Sequence, residues 1–210
     1  LLFFVNFVQR NQRLLSFMVL LISASLTEAA LIDNGTFTTD TATGLDWLDM
    51  SNTDGNSYNQ TLTAISAGGS LDGWRFATSA EFDGLINAAV GSPYTPALYD
   101  AAIYSQMQTL INLLGSTIAN EGTNGYSIGY VDSSALWYAD ARQFGWSEIL
   151  ATNYGYVRPA SSTAWDATKA TTNSSVGAFL VRTSVPDTGS TAALLGVGVV
   201  ALAAARRRLG

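Results

Sequence analysis

Gly73-Trp74-Arg75-Phe76-Ala77-Thr78-Ser79-Ala80-Glu81-Phe82 places a helix start directly after a tryptophan–arginine pair. The Thr78 hydroxyl can accept the backbone N–H of Glu81 while the Glu81 carboxylate reaches back, the reciprocal capping box that opens a helix. Phe82, Leu85, Ile86 and Val90 then recur on one face, the spacing of an amphipathic helix. Trp74 supplies core volume, and Arg75 brings a long apolar stem ending in a donor fork.

Upstream, Gly35 to Asp40 and Leu45 to Asp49 alternate about the small turn formers Thr41-Ala42-Thr43-Gly44, which predicts an opening β-hairpin. Tyr58, Leu62 and Ile65 recur at helical spacing until Gly68-Gly69 stops them. Downstream, Leu98, Ile103, Met107, Leu110, Ile111 and Leu114 form a third helical pattern within Ala97 to Leu114. After Gly122 the period changes to two, predicting strands over Tyr126–Tyr130, Ala135–Arg142, Tyr154–Arg158 and Val176–Thr183. Strands, helices, then strands describe an α+β domain whose first and last strands are expected to pair.

The 210 residues carry a net charge of −6 and 48% hydrophobic residues. Residues 31–184 hold 14 Asp or Glu against 5 Lys or Arg, a net of −9. Such a domain has nothing with which to neutralise phosphates, so nucleic acid is excluded as a partner. About 150 residues suffice for one core, and with no cysteine that core has no disulfide to help it.

Both ends read as targeting segments. Arg10 and Arg13 precede the apolar stretch Leu14–Ile22, and Thr27-Glu28-Ala29 offers small residues for a signal peptidase, with the cut after Ala29 or Ala30. Residues 1–30 are therefore assigned as signal peptide, residues 1–9 within it as an artefact of start-site choice. At the other end Val185-Pro186-Asp187-Thr188-Gly189 leads into an apolar helix over 191–205 and a basic tail, Arg206-Arg207-Arg208. That helix spans roughly 22 Å, short of the roughly 30 Å hydrocarbon core. It makes a poor permanent anchor but a serviceable transient one. The three arginines resist translocation and hold the C-terminus in the cytoplasm. The division is 1–30, an exported domain 31–184, and a sorting signal 185–210.

The tail resembles a PEP-CTERM sorting signal, the mark of exosortase substrates in exopolysaccharide-producing Gram-negative bacteria. Pro186-Asp187-Thr188 stands where Pro-Glu-Pro is usual, closer to the Val-Pro-Asp-Ser-Gly variant; Val185–Gly189 also resembles the Leu-Pro-any-Thr-Gly signal of sortases. Either resemblance implies an exosortase-type or sortase-type enzyme as partner, cleavage near Thr188, a membrane-bound intermediate and delivery to the cell surface or extracellular matrix. A second resemblance rests on Gly44-Leu45-Asp46-Trp47, on Gly73 to Phe82 and on Val176-Gly177-Ala178-Phe179-Leu180-Val181-Arg182. These are similar to the Lcl C-terminal-domain family of exported proteins, which implies a single C-type lectin-like domain.

Catalytic chemistry is narrowed by what is missing. Without His or Cys the serine and cysteine triads and the common zinc sites are unavailable. A polysaccharide hydrolase would have to use two carboxylates roughly 5–10 Å apart, with Asp46, Asp49, Asp132, Asp140 and Glu148 as candidates. Asn52-Thr53-Asp54-Gly55-Asn56 looks like an Asp-rich calcium loop, but Met50 and Thr61 stand where its first and last carboxylates belong. The expectation is thus a non-enzymatic surface or matrix protein without cofactor or metal. Polysaccharide recognition would fall to the aromatics Trp137, Tyr138, Trp146, Tyr154 and Tyr156; the competing reading makes alternate members of these strands core.

Overall fold

Asp40 closes the opening hairpin. In the computed structural model, which describes residues 30–91, 93–94, 100–118, 123–135, 139–148, 153–159 and 168–185, β2 (Phe37–Asp40) pairs with β3 (Leu45–Leu48). The buried Asp40 carboxylate accepts the Ala42 N–H at 2.9 Å and the Thr43 hydroxyl at 2.8 Å, and Gly44 takes the positive φ of 67° that the turn requires. A short β1 (Leu31–Asp33) adds to the outer edge of β2. It was not foreseen, because three residues are too few to show a period.

A 3-10 turn over Met50–Asn52 leads to α1 (Tyr58–Ile65), opened by its own capping box between Ser57 and Gln60. Tyr58 is buried, but Leu62, expected on the apolar face, is 49% exposed, and Thr61 takes the inward position instead. Next come β4 (Arg75–Phe76) and α2 (Ser79–Val90). The predicted capping box is present in full: the Thr78 hydroxyl accepts from Glu81 N–H, and Glu81 accepts from Thr78 N–H at 2.8 Å. Phe82, Leu85 and Ile86 are buried and Val90 half-buried. A 3-10 turn over Ala101–Ile103 runs into α3 (Tyr104–Leu114), which buries Met107, Leu110, Ile111 and Leu114. Residues 97–99 of that predicted pattern lie outside the described residues.

The remaining strands are β5 (Asn124–Tyr130), β6 (Ala141–Ser147), β7 (Tyr154–Pro159), β8 (Gly177–Ala178) and β9 (Leu180–Thr183). The strand expected over Ala135–Arg142 is displaced: β6 starts at Ala141 and pairs with β5 along its whole length. Its alternation, Phe144 and Trp146 against Gln143, Gly145 and Ser147, runs past the bounds expected from the sequence. Among the described residues two sheets result, ordered β1-β2-β3-β9-β4 and β7-β6-β5-β8. The expected pairing of terminal strands takes a specific form, in which β9 lies between β3 and β4 while β1 stays at the edge. The architecture is α+β.

Phe179 joins the sheets. Its N–H donates to Tyr130 O at 2.9 Å, its carbonyl accepts the Ala77 N–H at 2.8 Å, and its ring packs on Phe82 and Phe144. One core lies between the sheets and α2–α3, with Trp47, Phe82, Met107, Leu110, Phe144 and Val181; a second gathers Leu48, Tyr58, Phe76, Ile128, Tyr130 and Leu180. Trp74 is only partly buried, against the second core.

The Glu81 carboxylate is held down to about 2, first by its hydrogen bonds from Arg75, which include a contact of 2.5 Å, and then by its bonds to Thr78; burial opposes. Its contribution is therefore complete above the ordinary value of 4.5 and is lost as pH falls toward about 2. Thr78→Ala should cost about 1 kcal/mol of unfolding free energy at neutral pH. Glu81→Gln should also destabilise at neutral pH, and urea titrations should show its gap from the parent protein closing between pH 4.5 and 2.

Candidate functional site

Strands β5, β6 and β7 fix which side chains share a face. Cross-strand rows Asn124–Ser147–Tyr154, Tyr126–Gly145–Tyr156 and Ile128–Gln143–Arg158 belong to one side; Gly125–Trp146–Gly155 and Ser127–Phe144–Val157 belong to the other, which meets α3. The five aromatics singled out in the sequence therefore do not form one platform. Trp146 is 6% exposed and meets the Tyr104 ring edge-on at 5.9 Å. It is core, because even and odd positions of β6 face opposite ways. Trp137 and Tyr138 lie outside the described residues.

Tyr154 and Tyr156 do share a face, and Tyr126, which the sequence reading used only as a strand marker, joins them. Gly145 makes the arrangement possible: a Cβ there would sit 2.5 Å from Tyr126 Cβ and 2.8 Å from the Tyr156 hydroxyl. The Tyr154 and Tyr156 rings are 6.4 Å apart, inclined at 46°. Arg158 lies over the Tyr156 ring at 5.1 Å and donates from Nε to Gln143 Oε1 at 2.9 Å. Gln143, 2% exposed, turns its amide nitrogen toward the Tyr156 hydroxyl at 3.4 Å. Tyr126 and Tyr154 are half-buried, Arg158 is exposed, and Tyr156 is 8% exposed. Burial pushes the Tyr156 phenol up to about 12; Arg158 opposes this, and Tyr126 and Tyr154 add to it. The half-buried Tyr126 and Tyr154 and the exposed Arg158 guanidinium are groups able to stack on, and hydrogen-bond to, a polyhydroxylated ligand, while the buried Tyr156 supports them from within. Alternation alone could have separated Tyr154 and Tyr156 from Trp146 had the β6–β7 register been known.

The candidate carboxylates fall in several places, and only Asp132 and Asp140 act on a common neighbour. Asp46 is buried on β3 and accepts from Arg182 Nε at 3.1 Å and from the Thr39 hydroxyl at 2.7 Å. The Arg182 guanidinium lies against both the Trp74 ring, at 4.4 Å, and the Phe37 ring, at 4.8 Å, which meet each other edge-on at 6.4 Å. Asp49 is raised by burial and by the neighbouring Asp33. Glu148 accepts the Tyr104 hydroxyl, which also receives Gln108 Nε2 at 2.8 Å. Asp132 and Asp140 are exposed and act on Tyr58, whose phenol is raised chiefly by burial. The Asn52–Asn56 loop is tied down by Gly55 N–H donating to Val176 O at 3.1 Å. Among the described residues no three His, Cys, Asp or Glu gather as metal ligands would.

At the C-terminal junction, β9 ends at Thr183, Ser184 N–H donates to Gly44 O at 2.9 Å, and Val185 is 83% exposed. Pro186, Asp187, Thr188, Gly189, the 191–205 run and Arg206, Arg207 and Arg208 lie outside the described residues, among which no helix is long and apolar enough to cross a membrane.

Because Tyr156 stays neutral to about 12 when folded, against an ordinary 10, its contribution is complete below pH 10 and declines as pH rises toward 12. Tyr156→Phe should remove the latest-titrating phenol from an absorbance titration and retain more of its pH 8 stability at pH 11 than the parent. Against known proteins, a family model described as the VPDSG-CTERM motif matches residues 184–209. No curated protein and no solved structure matches the chain. The matched segment is a PEP-CTERM-like sorting signal, and it points to an exported protein processed by an exosortase-type enzyme.

Proposed function

We propose that the chain is delivered through an inner-membrane intermediate to the cell surface or exopolysaccharide matrix, and that its 31–184 domain serves there as a non-enzymatic, carbohydrate-binding structural component. The observation that carries this reading is the sorting motif at residues 184–209, which begins one residue after the last strand of a folded domain. Signal peptidase removes the leader, and an exosortase-type enzyme cuts within Val185–Gly189, near Thr188, while Arg206, Arg207 and Arg208 hold the tail on the cytoplasmic side.

Likeness to the Lcl C-terminal domain, and through it to the C-type lectin-like fold, is supported by the meeting of its three motif stretches on β9. A ligand-binding role is supported by Tyr154, Tyr156, Tyr126 and Arg158 on one face of the second sheet. Trp137 and Tyr138 are proposed to take part in the same recognition.

The mature protein recovered from the matrix of the producing cells should bind matrix polysaccharide without shortening it. Tyr154→Ala and Arg158→Ala should each weaken binding by up to about tenfold, the scale of one lost stacking or cation–π contact. Unchanged affinity in both would remove this face from the reading. Turnover abolished by a single Asp or Glu substitution would replace it with a hydrolase.

A further inference from the structure

Both chain ends of the folded domain leave at the same turn. Ala30 and Thr41 exchange hydrogen bonds, Thr41 N–H to Ala30 O at 3.0 Å and Ala30 N–H to the Thr41 hydroxyl at 2.8 Å. Ser184 N–H donates to Gly44 O at the other end of that turn. The register agrees: Leu31 faces Asp40 on one side of the hairpin, and Thr183 faces Leu45 on the other. With the order β1-β2-β3-β9, the two exits are three strand spacings apart, about 14 Å.

Tether length adds a constraint. From Val185 to Thr188 is four residues, at most about 14 Å when fully extended. A cut near Thr188 therefore takes place with the Thr41–Gly44 turn within that distance of the enzyme. The charge distribution is compatible. Among residues 30–31, 40–45 and 183–185 the only ionisable side chain is Asp40, and its carboxylate is buried and engaged inside the turn. Within a domain of net charge −9, the turn and the two exits beside it thus present no exposed charge of their own, which lowers their repulsion by anionic headgroups.

We propose that the Thr41–Gly44 turn, flanked by the Ala30 and Ser184 exits, is the surface this domain presents to the membrane-embedded enzyme that removes its tail. The proposal rests on the sorting reading and adds the face that meets the enzyme. Ala42 is its natural probe, since its side chain is exposed and its contribution to the turn is a backbone N–H.

The test follows tail removal in producing cells by pulse–chase, with one epitope before Val185 and another after Arg208. Ala42→Trp should slow separation of the epitopes several-fold, and a Gly/Ser spacer of about six residues, roughly 20 Å, inserted between Ser184 and Val185 should restore the rate. Thr36→Trp, at the far end of β2, should process normally. A photo-crosslinking side chain at position 42, but not at position 36, should capture the processing enzyme, which keeps the test decisive if the tryptophan variant fails to fold. Normal processing of folded Ala42→Trp, failure of the spacer to rescue it, or equal crosslinking from both positions would overturn the proposal. If the parent protein itself keeps both epitopes on one polypeptide, the sorting reading fails and the proposal falls with it.

Discussion

Phe179 carries the chain from one sheet into the other, and the rest of the packing depends on that crossing. Before it, β8 runs parallel to β5; after it, β9 lies antiparallel between β3 and β4. A residue leaving one sheet for another would strand its own N–H and carbonyl, at about 1–3 kcal/mol for each buried group left unpaired. Here Tyr130 accepts the first, and the backbone of Ala77 supplies the donor for the second. Ala77 in turn accepts Asp132 N–H at 2.8 Å, so the crossing binds the residue before α2 to the end of β5. Gly129 completes the fit, because a Cβ there would come within 2.7 Å of the Phe179 ring.

Three stretches that are far apart in sequence become neighbours on β9. Trp47 and Arg75 flank Val181, Asp46 faces Arg182, and Phe76 faces Leu180. The sequence makes each of these stretches stand out locally, yet their meaning is mutual. Asp46 is tolerated inside because Arg182 and Thr39 satisfy it, and Arg182 is fixed by the adjoining Trp74 and Phe37 rings. The carboxylate is buried while the Arg182 side chain keeps 38% exposure, so loss of Arg182 leaves a buried carboxylate without its charged partner. Arg75 has a different task, bridging from the β4 edge to the capping carboxylate of Glu81.

Elements with a local signature were legible. The α2 capping box, the hairpin about Thr41–Gly44 and the period-two run of β5 depend on neighbours within a few residues, and each appears where the sequence places it. β1 and β4, of three and two residues, owe their existence to partners elsewhere in the chain. β6 keeps a period of two, with Phe144 and Trp146 on the core side and Gln143 and Gly145 on the tyrosine side, but its bounds are set by pairing with β5 and β7. Trp146 was read as a possible surface aromatic because composition carries no information on which way a strand faces; register decides that, and it turned Trp146 inward and Tyr154 outward. The tail is the opposite case, since its signal is compositional and complete within 26 residues, 184–209.

The charge pattern bears on what the tyrosine face could hold if the proposed saccharide role is right. Of the five basic side chains in residues 31–184, Arg75 and Arg182 are neutralised by carboxylates. Arg142 donates to the Ala141 carbonyl at 3.3 Å, and Lys169 donates to the Ser133 carbonyl and lies over the Tyr58 ring. Arg158 rests on neutral partners, Gln143 and Tyr156, so it offers a cation beside aromatic rings on an otherwise acidic domain. Beyond roughly 8–10 Å the domain's negative charge is screened. Net charge at long range therefore does not select the ligand, and in that role Arg158 can donate hydrogen bonds to neutral and acidic hydroxyl-rich chains alike.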